Sequence, residues 1–181
     1  YSTPTSSIYD CPGYSLPTEA EWEYAYRAGT VTANYRSDLG TCTNANKSTN
    51  HIGWYKHNSG KTTHAVGLMQ ANRWGLYDMA GNVWEWCHDE HKEMLGKGSV
   101  TNPVNEPSKL ASNRIIRGGG YMAEPAFLRA AQRQNTNPTI PRYNIGFRCV
   151  RRIRFYDEFS KDLGWTTSSA QQIHRDDGPD H

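Results

Sequence analysis

The chain has 181 residues, with 20 lysines and arginines against 18 aspartates and glutamates, a net charge of +2. A balance so near neutral gives no argument for a nucleic-acid partner, and no apolar run approaches the ~20 residues that a membrane helix needs. Apolar residues make up only 36% while aromatics reach 12% and glycines number 16, which suits an irregular, loop-rich domain whose core relies on large rings.

Residues 1–15 are rich in Ser, Thr and Pro and read as a loop. "LPTEAEWEYAYRAGT" follows and predicts a helix. Thr18 and Glu21 have capping-box spacing, in which each side chain satisfies the other residue's free backbone N–H. Trp22, Ala25 and Tyr26 recur at helical spacing, and Gly29 is placed to end the helix. Residues 30–74 are polar with little periodicity and read as a long irregular excursion, with short extended pieces at Ile52–Tyr55 and His64–Met69. Such length without regular structure marks a functional surface or a metal-organised loop. Residues 88–113 form another polar loop region. "RIIRGGGYM" and "IGFRCVRRI" predict short strands, and residues 153–181 read as a polar tail.

Four cysteines, Cys11, Cys42, Cys87 and Cys149, are spread widely with no C-x-x-C spacing. They fit two disulfides in any of three connectivities, or four reduced thiols. In "HDEH" a helix would bring His88 and His91 together over a divalent metal; the plainer reading is a solvated loop start after Cys87. His51, His57 and His64 are scattered through the long loop, and nothing in their spacing gathers them.

"LPTEAEWEYAYRAGT", "WGLYDMAGNVWEW", "RIIRGGG" and "YNIGFRCVR" occur in that order between Gly13 and Arg152. Together they resemble the formylglycine-generating enzyme family, also called the sulfatase-modifying-factor family. The resemblance implies an α+β fold, a variant of the C-type lectin: a small twisted antiparallel sheet, few helices and many long loops. It divides the chain into an N-terminal loop (1–15), the domain itself (16–152) and a C-terminal tail (153–181). It also implies a further segment ahead of the "LPTEAEWEY" helix, where this sequence has fifteen residues before Leu16. Members of the family include copper-dependent oxidases that convert a sulfatase cysteine to formylglycine, ergothioneine-pathway sulfoxide synthases, pyoverdine-maturation proteins, lipoproteins, and retroelement-diversified binding proteins. The fold therefore does not fix the function.

In the family the segment "GLYDMAGNVWEWC" (Gly75–Cys87) wraps a calcium ion. The resemblance assigns its ligands to Asp78, the carbonyls of Gly81 and Val83, and Glu85. The residue types agree: two hard carboxylates bracket a glycine that turns carbonyls inward, and calcium asks for several oxygens at once. Strand alternation in "NVWEW" puts Val83 and Glu85 on one side, toward the ion, and Trp84 and Trp86 on the other, in the core. The alternative is an ion-free corner in which Asp78 caps a turn and Glu85 pairs with an arginine.

In the copper oxidases two cysteines follow the "GG-Y-M" strand and bind Cu(I) as soft thiolates. Here the first of those positions is Ala123, and no cysteine occurs between Arg117 and Arg148. Copper oxidase chemistry is therefore not expected. The resemblance further implies a Cys11–Cys149 disulfide. It also implies a partner-binding face on loops 121–127 and 133–144, made of Tyr121, Glu124, Phe127, Arg133, Gln134, Asn135, Asn137, Arg142, Tyr143 and Asn144. Tyr, Arg and Asn suit an adaptable interface. The resulting expectation is a catalytically inactive, calcium-stabilised binding or scaffold domain. It would take a protein or glycan partner in an extracytoplasmic setting, as part of a surface or multi-subunit assembly. The competing expectation is a non-copper, metal-dependent oxidoreductase of the ergothioneine or pyoverdine type.

Overall fold

The computed structural model describes residues 7–10, 13–36, 49–93, 100–110 and 112–152. The chain divides into two compact units, one of residues 1–14 with 151–181 and a larger one of residues 15–150. In the first, a 3-10 turn at Ile8–Asp10 carries Tyr9, whose ring lies 5.2 Å beneath the Arg152 guanidinium. The strands at the division, β1 (Tyr14–Ser15) and β6 (Val150–Arg151), form a two-stranded sheet.

The larger unit is built on one helix and a small sheet. Helix α1 spans Glu19–Arg27 and starts with the expected capping box. Thr18 Oγ1 accepts from the Glu21 N–H at 3.2 Å, and Glu21 Oε2 accepts from the Thr18 N–H at 2.8 Å. Ala28 and Gly29 both take the left-handed conformation at its end, so the turn begins one residue before the glycine. Trp22 and Tyr26 are fully buried and Ala25 packs beside them. Tyr26 fixes its hydroxyl on the Leu128 carbonyl at 2.5 Å and meets the Tyr35 ring edge-on at 5.2 Å. The core is thus a cluster of rings closed by Ile52, Tyr55, Met79, Ile115 and Leu128, as the aromatic composition suggests.

The sheet has the order β4-β3-β2-β5. Strand β2 (Trp84–Glu90) pairs antiparallel with β3 (Arg114–Arg117) and parallel with the two-residue β5 (Ile145–Gly146). Strand β3 pairs antiparallel with β4 (Gln134–Thr136). The sheet is therefore mixed rather than wholly antiparallel. "IGFRCVRRI" yields two short strands, β5 and β6, where one was expected. "HDEH" is not helical: β2 runs through Glu90, and His88 accepts or donates at Nε2 to Glu106 at 2.9 Å.

The expected extended pieces at 52–55 and 64–69 are turns and irregular chain. Side chains hold this excursion in place through backbone groups. Tyr35 OH bonds the Ile52 and Gln70 carbonyls, both at 3.0 Å. Asn72 Nδ2 bonds the Ala25 carbonyl at 2.7 Å. These bonds satisfy the backbone polar groups that a ladder would otherwise pair.

Candidate functional site

The Gly75–Cys87 segment sits where the long loop, helix α1 and the sheet meet. Its turn is clamped by backbone contact. A Cβ on Gly53 would lie 2.0 Å from the Ala80 oxygen, and one on Gly81 would lie 2.3 Å from the Trp54 oxygen. Gly81 also has φ +77°, so only glycine fits there. The neighbouring Asn82 N–H donates to the Trp54 carbonyl at 2.7 Å. Its side-chain amide pairs both backbone groups of His64, accepting at 3.0 Å and donating at 3.1 Å. His64 in turn stacks on Trp54 with ring centroids 3.8 Å apart. This amide joins the motif to the long loop.

Along β2 the burial alternates opposite to the expectation. Glu85, Cys87 and Asp89 are buried, while Trp84 and Trp86 are half-buried. The polar face lies inside because each carboxylate has partners. Glu85 Oε2 accepts from Trp22 Nε1 at 2.7 Å. The Arg148 guanidinium grips both Glu85 oxygens, Nε to Oε2 and Nη2 to Oε1, each at 2.6 Å. Asp89 accepts from the backbone N–H groups of Glu19 at 2.7 Å and Asn105 at 3.0 Å. Burial nevertheless raises its carboxyl above the usual range, the two N–H bonds opposing it. Burial also pushes the Cys87 thiol well up, against the pull of Arg117, so Cys87 is an inert core thiol.

The four expected calcium ligands are close in the chain, but the Glu85 carboxylate is already taken by a cation and in that state does not fit the ion. Asp78 Oδ2 accepts from the Gly67 N–H at 2.6 Å, and Oδ1 is buried with no hydrogen-bond partner. Glu85, however, has both oxygens engaged by a cationic side chain. Gly81 turns its N–H to the Gly118 carbonyl at 2.9 Å. These bonds match two features of the ion-free alternative, Asp78 holding a turn and Glu85 paired to an arginine. The sequence gives Arg148 no role of its own, although it stands inside the quoted "YNIGFRCVR".

At the copper position, the Ala123 N–H bonds the Gly120 carbonyl at 2.8 Å, and its own carbonyl accepts from the Lys56 N–H at 3.1 Å. Glu124 beside it pairs with Lys56 and lies 3.4 Å from His57. Cys149 is exposed and Cys87 buried, and among the described residues the two are not bonded to each other. Cys11 and Cys42 lie outside the described residues, and with them the expected Cys11–Cys149 disulfide. Among the described residues no three His, Cys, Asp or Glu side chains gather as a metal-holding group.

The expected partner face does not stay together. Gln134–Thr136 form β4 on one edge of the sheet, whereas Arg142, Tyr143 and Asn144 lead into β5 on the other. Several members are committed internally. Tyr121 is buried, and its carbonyl accepts from Ser59 Oγ at 2.7 Å. Arg133 forks onto both oxygens of Glu19, at 2.6 and 2.8 Å. Asn135 bonds Asn113 at 2.9 Å, and Asn137 bonds both the N–H and the hydroxyl of Thr139. Phe127 is half-buried, edge-on to Trp84 at 6.1 Å. What stays open is the β5 edge, where Tyr143 is 82% and Phe147 68% exposed, with Ile140 and Arg142 beside them in the chain.

Few helices, a small mixed sheet and long side-chain-tied loops define the fold of the formylglycine-generating-enzyme class. Solved structures share it. Treponema denticola variable protein 1 has 35% identity and a TM-score of 0.69, over 80% of this chain and 49% of that one. PvdO from Pseudomonas aeruginosa has 27% identity and a TM-score of 0.63, over 75% of this chain and 51% of that one. Residues 1–153 match the sulfatase-modifying factor enzyme 1-like domain, and the chain belongs to that family. The formylglycine-generating enzyme of Streptomyces coelicolor is 35% identical over 147 residues, 76% of this chain and 46% of that enzyme. The chain thus spans about half the length, or less, of the curated relatives it matches.

Proposed function

We propose that this chain is a binding or scaffold domain of its family, without the formylglycine-generating activity that the name of its Streptomyces relative carries. The observation that carries the reading is the strand end at Ala123. A two-thiolate Cu(I) site needs two soft ligands within reach of one ion. This segment offers Ala123, Glu124, Pro125, Ala126, Phe127 and Leu128. Its backbone is tied to Lys56 and its one carboxylate to Lys56 and His57.

Support for a binding role comes from the β5 edge. Tyr143, Phe147 and Ile140 expose rings and an aliphatic chain, with Arg142 adjacent, a composition suited to a protein or glycan partner. The likeness to Treponema denticola variable protein 1, a chain named for its variability rather than for an activity, points the same way. We place the domain in an extracytoplasmic assembly; among the described residues no helix is long and apolar enough to cross a membrane.

The test is turnover of a cysteine peptide by Cu(I)-loaded protein, with metal analysis of the protein as purified. The expected result is no oxidation above the protein-free rate and no stoichiometric copper or iron. Oxidation abolished by a copper chelator would restore the oxidase. Stoichiometric iron would favour the non-copper oxidoreductase.

A further inference from the structure

Arg148 does at the Gly75–Cys87 corner what a metal ion does elsewhere. Its guanidinium meets the Glu85 carboxylate edge-on with two bonds of 2.6 Å. The same Nη2 donates to the Tyr77 and Asp78 carbonyls, both at 3.2 Å. One positive group is therefore surrounded by a carboxylate and two main-chain carbonyls, the hard oxygens that a calcium ion gathers. The planar fork matches the carboxylate, which a point charge does not. The pair is well sheltered: the Glu85 side chain is 9% exposed and that of Arg148 25%.

A divalent ion bound to Glu85 would lie against the guanidinium, like charge on like charge. To enter, it would have to expel Arg148 from all of these acceptors. Trp22 Nε1 also holds Glu85 Oε2 in place from the helix side, so the carboxylate cannot swing away to serve both cations.

We propose that Arg148 is the resident cation of this corner, its guanidinium standing in place of a divalent ion, and that the Gly75–Cys87 segment folds and keeps its shape without calcium. The carboxylate and its cation then come from the middle and the end of the domain's chain, β2 and the residues between β5 and β6. The bond closes the fold from within one chain. The corner is consequently insensitive to the calcium level of the compartment, unlike a metal-held one.

The experiment is thermal unfolding of the full chain, stripped of metal, in chelator and in millimolar calcium, with Glu85→Gln and Arg148→Met alongside. The wild type is expected to melt at the same temperature in both, because only a ligand that binds the native state shifts melting. A rise of several degrees in calcium that Glu85→Gln abolishes overturns the proposal. A rise that survives Glu85→Gln puts the ion elsewhere and leaves this corner as proposed. If the variants do not fold, calcium content of the wild type after dialysis decides. No retained ion supports the proposal. One ion per chain overturns it when terbium, in the calcium site, is sensitised by tryptophan, since Trp22 touches Glu85.

Discussion

Strand β2 carries two buried carboxylates on one face, Glu85 near its start and Asp89 near its end, and the chain neutralises them by different means. Glu85 has a charge partner, Arg148, and an indole N–H. Asp89 has two backbone N–H groups, and its carboxyl is raised by burial that those bonds only partly oppose. The first device is a long-range ion pair; the second is a loop and a helix start folded onto a carboxylate. Arg117 links the two ends. It stacks 5.3 Å over Trp22, which holds Glu85, and lies 3.3 Å from Glu19, whose N–H holds Asp89.

The largest effect is therefore expected at the link. Arg117 is fully buried and pairs with Glu19 and Glu23. Arg117→Met leaves Glu19 buried with Arg133 as its remaining cation, and should cost about 3–5 kcal/mol, read from urea unfolding. A loss below about 1 kcal/mol would mean that the two ends are held independently.

Glu85→Gln keeps the shape of the side chain but removes its charge. The Arg148 fork then faces a neutral amide, and stability should fall by about 1–3 kcal/mol. Thr18→Ala opens the capping box that sets the first turn of α1, where Glu19 reaches Asp89. It should cost about 1 kcal/mol. Because this loss is local, it should leave the Glu85 end unaffected and add to the effect of Glu85→Gln.

The smallest effect is the pH-dependent part of what Asp89 contributes. Its folded carboxyl lies above the unfolded value, so the native state holds the proton longer. Stability from this residue is then highest in acid and falls as pH rises from the ordinary carboxylate range through the raised folded value. In Asp89→Asn that slope disappears, on top of a constant loss from a backbone N–H left facing an amide donor. Urea midpoints of both proteins between about pH 4 and pH 7 should show the wild-type advantage shrinking toward neutral pH. A growing advantage would reverse the assignment.

The same contrast marks what the sequence made legible. The helix at Glu19–Arg27 was readable because its signals are local: Thr18 and Glu21 three apart, Trp22 and Tyr26 on one face. The strand at Arg114–Arg117 was readable from β-branched residues ahead of glycines. The direction of β2 was not. Alternation says that Glu85 and Trp86 face opposite ways, but not which way is in. That depends on partners 63 residues away in either direction, Trp22 and Arg148. Trp84 and Trp86 were expected in the core with Glu85 turned to an ion, and a carboxylate with protein partners is the buried one instead. The spread of the expected partner face was hidden for a related reason. Residues 133–144 are continuous in sequence, yet the sheet order places their two ends on opposite edges. Asn82 was likewise missed as the residue joining the motif to His64, because a side-chain amide that mimics a backbone partner has no periodic signature.

The Glu85–Arg148 double-mutant cycle tests most directly whether an internal cation holds this corner. Unfolding free energies of the wild type, Glu85→Gln, Arg148→Met and the double variant would be measured in chelator. The account predicts that the single losses do not add, with a coupling of at least about 1 kcal/mol. Additivity within about 0.3–0.5 kcal/mol would contradict it, since two side chains whose losses simply add are not holding each other.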